Sequence, residues 1–142
     1  MKKPTFILNA VLLLGVLTSS AQAIRDTTGR NAAIQYGIAS YYSDKFEGKI
    51  TATGELYKKD ELTAAHNALP FGTWIRVTNL SNKRSVVVRV NDRLHHRNRR
   101  LVDLSRAAAT LLRYTSKGLT RVKVEVLGKK KPVEKEGNMV HK

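Results

Sequence analysis

The alternation between Arg121 and Leu127 constrains this chain more than any other stretch. Val122, Val124 and Val126 fall on one side and Arg121, Lys123 and Glu125 on the other. A period of two suits a half-buried strand and no helix. The same period returns at residues 73–79, where Ile75 and Val77 oppose Arg76 and Thr78. It returns again at 84–90 with Val86, Val88 and Val90, after the turn residues Ser81-Asn82-Lys83. Gly72 opens the first of these runs and Gly118 the last. That internal echo is what two interlocked βαβ-like halves closing into a small barrel produce. Residues 36–42, aromatic at both ends, add a strand in which Gly37 marks a bulge or a close backbone approach. Leu62 to His66 reads as a short strand stopped by Pro70. One helix is expected, capped by Ser105 and running through Tyr114, with Leu104, Ala108, Leu111 and Leu112 on one face.

The barrel uses only part of the 142 residues. Met1-Lys2-Lys3 is a positive n-region, residues 6–17 are almost wholly apolar, and Ala21-Gln22-Ala23 places small residues where a signal peptidase reads them. The apolar run is short for a bilayer span. Residues 1–23 are therefore expected to be a signal peptide cleaved after Ala23, leaving no stable membrane anchor. Residues 24–35 read as a polar linker, 36–127 as the folded domain, and 128–142 as a basic disordered tail. Lys and Arg outnumber Asp and Glu 26 to 11, a formal charge of +15, which falls to +13 without Lys2 and Lys3. In an exported protein that charge points to anionic envelope polymers, held in a salt-dependent way, rather than to nucleic acid. There is no cysteine for a disulfide framework, a thiolate metal site or lipid attachment. The expectation is a periplasmic or extracellular monomer that is not a lipoprotein.

Among residues that could carry chemistry, Asp92 stands out. It follows the apolar run at Asn91-Asp92-Arg93 and is the only acid between Glu61 and Asp103. The end of a strand is where a rigid scaffold presents a reactive group. The plainer reading is a turn former, or a partner for Arg89 or Arg93. Glu55, in the Gly- and Thr-rich loop after the first strand, and His66 also lie beside strands or turns. His66 reads first as a structural histidine. His95-His96 sits in a run of arginines, and adjacent histidines among like charges lack metal-ligand geometry. No metal or other cofactor is expected.

Several segments carry a resemblance when taken in order. They are Gly37-Ile38-Ala39-Ser40-Tyr41-Tyr42, Thr51-Ala52-Thr53-Gly54-Glu55-Leu56-Tyr57, Leu62-Thr63-Ala64-Ala65-His66-Asn67-Ala68-Leu69-Pro70-Phe71-Gly72-Thr73, Val77-Thr78-Asn79-Leu80, Val88-Arg89-Val90-Asn91-Asp92-Arg93 and Val102-Asp103-Leu104-Ser105. From Tyr36 to about Leu127 the chain resembles the rare lipoprotein A family of septal-ring lytic transglycosylases. The resemblance implies a mainly β fold, a six-stranded double-psi β-barrel with one or two short helices. It also implies cleavage of peptidoglycan glycan strands between N-acetylmuramic acid and N-acetylglucosamine, with formation of a 1,6-anhydro ring. The family's acid, histidine and catalytic aspartate match Glu55, His66 and Asp92. Tyr42, Tyr57, Asn91 and Arg93 are the candidates for substrate contact. The family usually follows Asn-Asp-Arg with Gly-Pro and an aromatic, whereas here Leu94-His95-His96 and further arginines give the loop a different shape.

A general acid at neutral pH needs its proton held by burial or by a neighbouring carboxylate. Alternation puts Arg89 on the face opposite Val88 and Val90, so the opposing influence falls to Arg93 and the loop arginines. Glu55 is expected to share charge with Asp92, and His66 to orient one of the two. The alternative is a non-catalytic, expansin-like wall-binding protein in which Trp74, Tyr42 or Tyr57 stacks on sugars.

Overall fold

The three alternating runs become three adjoining walls of a closed ring. The computed structural model describes residues 33–133. The expected signal peptide and residues 134–142 of the expected tail lie outside them. The strands are β1 (Ile34–Tyr41), β2 (Thr63–Ala65), β3 (Trp74–Asn79), β4 (Ser85–Asp92), β5 (Val102–Leu104) and β6 (Thr120–Gly128). Around the ring they run β1-β5-β2-β4-β3-β6. Ile75, Val77, Val86, Val88, Val90, Val122 and Val124 all point inward and are buried with Ala39, Ala64 and Leu104. Burial of each valine, leucine or isoleucine side chain contributes about 1.5–3 kcal/mol.

The ring has an internal two-fold pattern. Exchanging β1 with β4, β2 with β5 and β3 with β6 leaves every pairing unchanged. β1–β5 and β2–β4 are parallel, while β1–β6 and β3–β4 are antiparallel. β3 and β6 pair across the axis with Val77 opposite Val124. Each is preceded by a glycine in the left-handed region, Gly72 at φ 78° and Gly118 at φ 77°. A side chain at either would be strained. The echo seen in the sequence is thus a real repeat, with one correction: only the second half carries a helix between its last two strands.

Other differences are local. β5, three residues long, is too short to show a period, and it is held by β1 on one side and β2 on the other. β1 starts at Ile34, inside the expected linker. At Gly37 a Cβ would lie 2.6 Å from Leu101 Cβ, so this glycine serves a close approach. The helix α1 (Arg106–Leu111) is shorter than expected; Ser105 Oγ caps it by accepting from the Ala108 N–H. Arg113 turns left-handed at φ 56°, which ends the helix and drops Tyr114 into the core. Leu112 is buried, while Leu111, expected on the same face, is half exposed.

Candidate active site

A bulge aims the central acid. β4 pairs with β2 in register up to Val90, opposite Ala64; the next partner of β2 is Asp92, opposite Ala65. The extra residue, Asn91, is buried with its amide turned to Glu55, and Asp92 is carried onto the cleft face. Bulges commonly re-aim a side chain in this way.

Both oxygens of Asp92 are held. Oδ1 accepts from the backbone N–H of Ala52 (2.8 Å) and of Arg93 (2.8 Å), and Oδ2 accepts from the Tyr42 hydroxyl at 2.6 Å. Tyr42 is the first residue after β1. Its ring stacks on Tyr57 with centroids 4.4 Å apart and meets the edge of Phe46. Burial, and then the hydrogen bond to Asp92, push the Tyr42 phenol far above the usual tyrosine range. It therefore remains a protonated phenol. The loop after β1 makes a 3-10 turn at Asp44–Phe46 and closes on itself through an Ile50–Leu56 bridge. The Thr51 hydroxyl donates to the Glu55 carbonyl, and this tight turn sets the Ala52 N–H against Asp92.

Arg93 and Arg100, and Arg89 on the opposite face, are engaged with other partners. Arg89 forms a bidentate pair with Glu55 at 2.9 and 2.7 Å. Arg93 donates through its side chain to the His66 carbonyl at 2.6 Å and lies 3.8 Å from the Phe71 ring centroid. Arg100 pairs with both oxygens of Asp103, whose Oδ1 also accepts from Ser40 Oγ at 2.6 Å. Among the described residues no cationic side chain forms an ion pair with Asp92.

Glu55 and His66 occupy different environments from the one expected. The Arg89 guanidinium holds the Glu55 carboxyl down at about 2, with Asn91 Nδ2 adding a contact of 3.3 Å. Its charge is spent on Arg89, not shared with Asp92. His66 is buried. Its Nδ1 accepts from the N–H groups of Ala68 and Leu69, which assigns the proton to Nε2, 2.8 Å from Gln35 Oε1. Burial, and secondarily the charge of Arg93, push its pKa down. The link to Asp92 runs through the main chain, with the His66 N–H donating to the Asp92 carbonyl. Tyr57 is 2% exposed and supports Tyr42 from beneath, so it offers no face to a ligand. Trp74 lies in a separate surface hollow with Arg89, Lys131 and Pro132.

Tyr42 and Asp92 thus sit on the floor of a cleft of about 540 Å³. The loop after β1 contributes Lys45, Phe46 and Lys49, and the loop after β4 contributes Arg93, His95 and Arg100. His95 and His96 lie ring against ring, 4.2 Å between centroids. Among the described residues no three His, Asp or Glu side chains gather as metal ligands. The Ser40–Asp103–Arg100 chain was not among the candidates the sequence offered. The one signal for it was Asp103, an isolated acid between valine and leucine.

The family model for lytic transglycolases matches residues 34–124. The chain belongs to the lytic transglycolase family. It is 45% identical over 106 residues to the endolytic peptidoglycan transglycosylase RlpA of Haemophilus influenzae, covering 75% of this chain and 36% of that protein. It is 52% identical over 95 residues to a probable RlpA of Nostoc sp., covering 66% and 26%. The RlpA of Campylobacter jejuni is 49% identical over 92 residues, covering 65% and 34%. The chain therefore spans roughly a third or less of the length of these relatives. Among solved structures, the Streptomyces papain inhibitor shares 22% identity at a TM-score of 0.55, covering 66% of this chain and 94% of its own. An expansin variant from Clavibacter michiganensis in complex with cellohexaose shares 19% at 0.56, covering 70% and 53%. These neighbours show the double-psi β-barrel fold.

Proposed function

We propose that this barrel is an exported lytic transglycosylase acting on peptidoglycan glycan strands, with Asp92 as the group that gives and recovers the proton. The observation that carries the reading is the way the two oxygens of Asp92 are held in the open cleft. Oδ1 faces two backbone N–H groups, which can only donate. Oδ2 faces a phenol, which can donate or accept. A proton on Asp92 therefore belongs on Oδ2, where it faces the substrate oxygen once Tyr42 turns its own hydrogen away. Oδ2–H protonates the glycosidic oxygen between N-acetylmuramic acid and N-acetylglucosamine, and the C1–O bond breaks. The Asp92 carboxylate then takes the proton of the muramic acid 6-hydroxyl as that oxygen bonds to C1 and closes the 1,6-anhydro ring. No water is consumed. Tyr42 reverses to donate while Oδ2 is charged, so the carboxylate keeps a hydrogen-bond donor when its charge develops.

Glu55 has no proton to give, because Arg89 keeps it ionised; its part is to hold Arg89 and Asn91 behind the bulge. His66 fixes the loop after β2. The relatives named as endolytic peptidoglycan transglycosylases support this reading. Digestion of purified glycan strands tests it, and 1,6-anhydro products are expected. New reducing ends would make the protein a hydrolase. Strand retention without any product would make it a wall-binding barrel, the reading in which Tyr42 stacks on sugar.

A further inference from the structure

We infer that the cleft contains a carboxylate-binding subsite, formed by Arg100 with Lys45 and Lys49, that takes an acidic group borne by the glycan strand. This rests on the glycan-cleaving reading and names the kind of strand the site is built for. The starting point is the basic loop after Arg93, which the proton-transfer chemistry leaves unused.

Arg100 is an oriented cation. Its Nε and Nη2 donate to Asp103 at 2.9 and 3.1 Å, and Asp103 is anchored in turn by Ser40. Nη1 makes no hydrogen bond among the described residues, on a guanidinium that lines the cleft. A guanidinium already fixed on one edge loses little freedom when its other edge binds an anion. Lys45 and Lys49 come from the loop after β1. Their ammonium groups lie 5.4 and 5.7 Å from the Phe46 ring centroid, and neither forms an ion pair among the described residues.

The charge count decides the sign. The cleft is lined by four basic side chains, Lys45, Lys49, Arg93 and Arg100, against the two carboxylates Asp92 and Asp103. In the proton-loaded state proposed above only Asp103 is negative, so the excess is larger when substrate arrives. A neutral sugar chain gains nothing from such an excess, whereas a carboxylate gains charge-assisted hydrogen bonds. Two sources present that chemistry: the lactyl carboxylate of muramic acid on a peptide-free strand, and the carboxylates of an attached stem peptide.

Binding to the Asp92→Asn protein, expected to retain strands without cutting them, provides the test. Three preparations are compared at low and high salt: peptide-free strands, the same strands with every carboxyl converted to a neutral amide, and peptide-bearing strands. Amidation is expected to weaken binding about tenfold at low salt and to flatten its salt dependence. Lys45→Gln with Lys49→Gln, both exposed and free of structural ion pairs, should reproduce that loss on unmodified strands. Arg100→Gln should as well, with circular dichroism showing that the barrel stays folded. The better-bound of the two acidic preparations identifies the source of the carboxylate. Equal affinity for amidated and unmodified strands overturns the subsite and leaves the glycan reading standing. Binding to none of the three overturns both.

Discussion

Laid over one another, β1–β3 and β4–β6 follow the same path around the ring, and they diverge where their strands run out. β1 ends beside Tyr42 and β4 ends in Asp92; the two pseudo-equivalent ends meet through a 2.6 Å hydrogen bond. β2 runs out into His66 and β5 into Ser105, and each side chain accepts backbone N–H groups two or three residues further on. His66 is thus the counterpart of a helix cap. After Ser105 a helix follows, whereas after His66 Pro70 removes a donor and the chain makes only turns. Symmetry explains why an acid faces a phenol and not a second acid. A repeat offers two equivalent strand ends, and filling both with carboxylates would leave like charges in contact. One carboxyl with one protonated phenol gives a single proton-carrying oxygen with an adaptable partner.

The sharpest way to break this comparison is at the strand ends. Asp92→Asn should reduce anhydro-product release by about a hundred- to ten-thousand-fold while the thermal midpoint stays close to that of the parent. Full activity in that variant would move the chemistry away from β4. Tyr42→Phe keeps the stack on Tyr57 and removes one hydrogen bond to a charged oxygen, worth about 1.5–3 kcal/mol. Single-turnover kinetics should show a loss of roughly ten- to a hundred-fold, smaller than that of Asp92→Asn. Equal losses would mean that the phenol takes part in the proton transfer itself.

The caps come next. His66→Ala leaves two backbone donors without a partner and a void in a buried site, and should cost about 2–4 kcal/mol in denaturant unfolding. Ser105→Ala should cost about 1 kcal/mol. A His66→Ala protein that unfolds like the parent but no longer cuts strands would show the ring serving the chemistry directly.

Acid titration gives the smallest effect. Burial lowers the folded-state pKa of His66 below its ordinary 6.5, so its contribution is fully present above about 6.5 and is lost as pH falls through the folded value. Glu55, lowered from 4.5 to about 2, contributes above about 4.5 and loses that contribution towards pH 2. Stability should therefore decline in two stages on acidification. Glu55→Gln should remove the lower stage and leave the upper one intact.

What could be read from the sequence followed the range of the interaction that fixed it. Valine alternation is local, and it located β3, β4 and β6 to within a residue or two. β5 carries no local signal because three residues span less than two periods; it exists because β1 and β2 both lack a neighbour without it. Asp92 was visible as an isolated acid at a strand end. The bidentate pair of Arg89 with Glu55, 34 positions apart, was not, and neither was the stacking of Arg93 on Phe71. Those long-range partners decide which carboxylate can carry a proton. Tyr57 looked like a sugar platform for the same reason: an aromatic in a polar loop shows its character but not its burial.

The order of strands around the ring alternates strictly between the two halves, so β1, β2 and β3 never touch one another as ladder partners. A ribosome that has delivered only residues up to Leu80 has delivered three strands and no sheet. The first ladder available to the emerging chain is the hairpin of β3 with β4, and β1 must wait for β5 and β6, more than sixty residues later in the chain. Such a chain collapses late and all at once. It also makes each half a template for the other, so that fragments cut between Asn79 and Ser85, inert apart, should reassemble the ring when mixed.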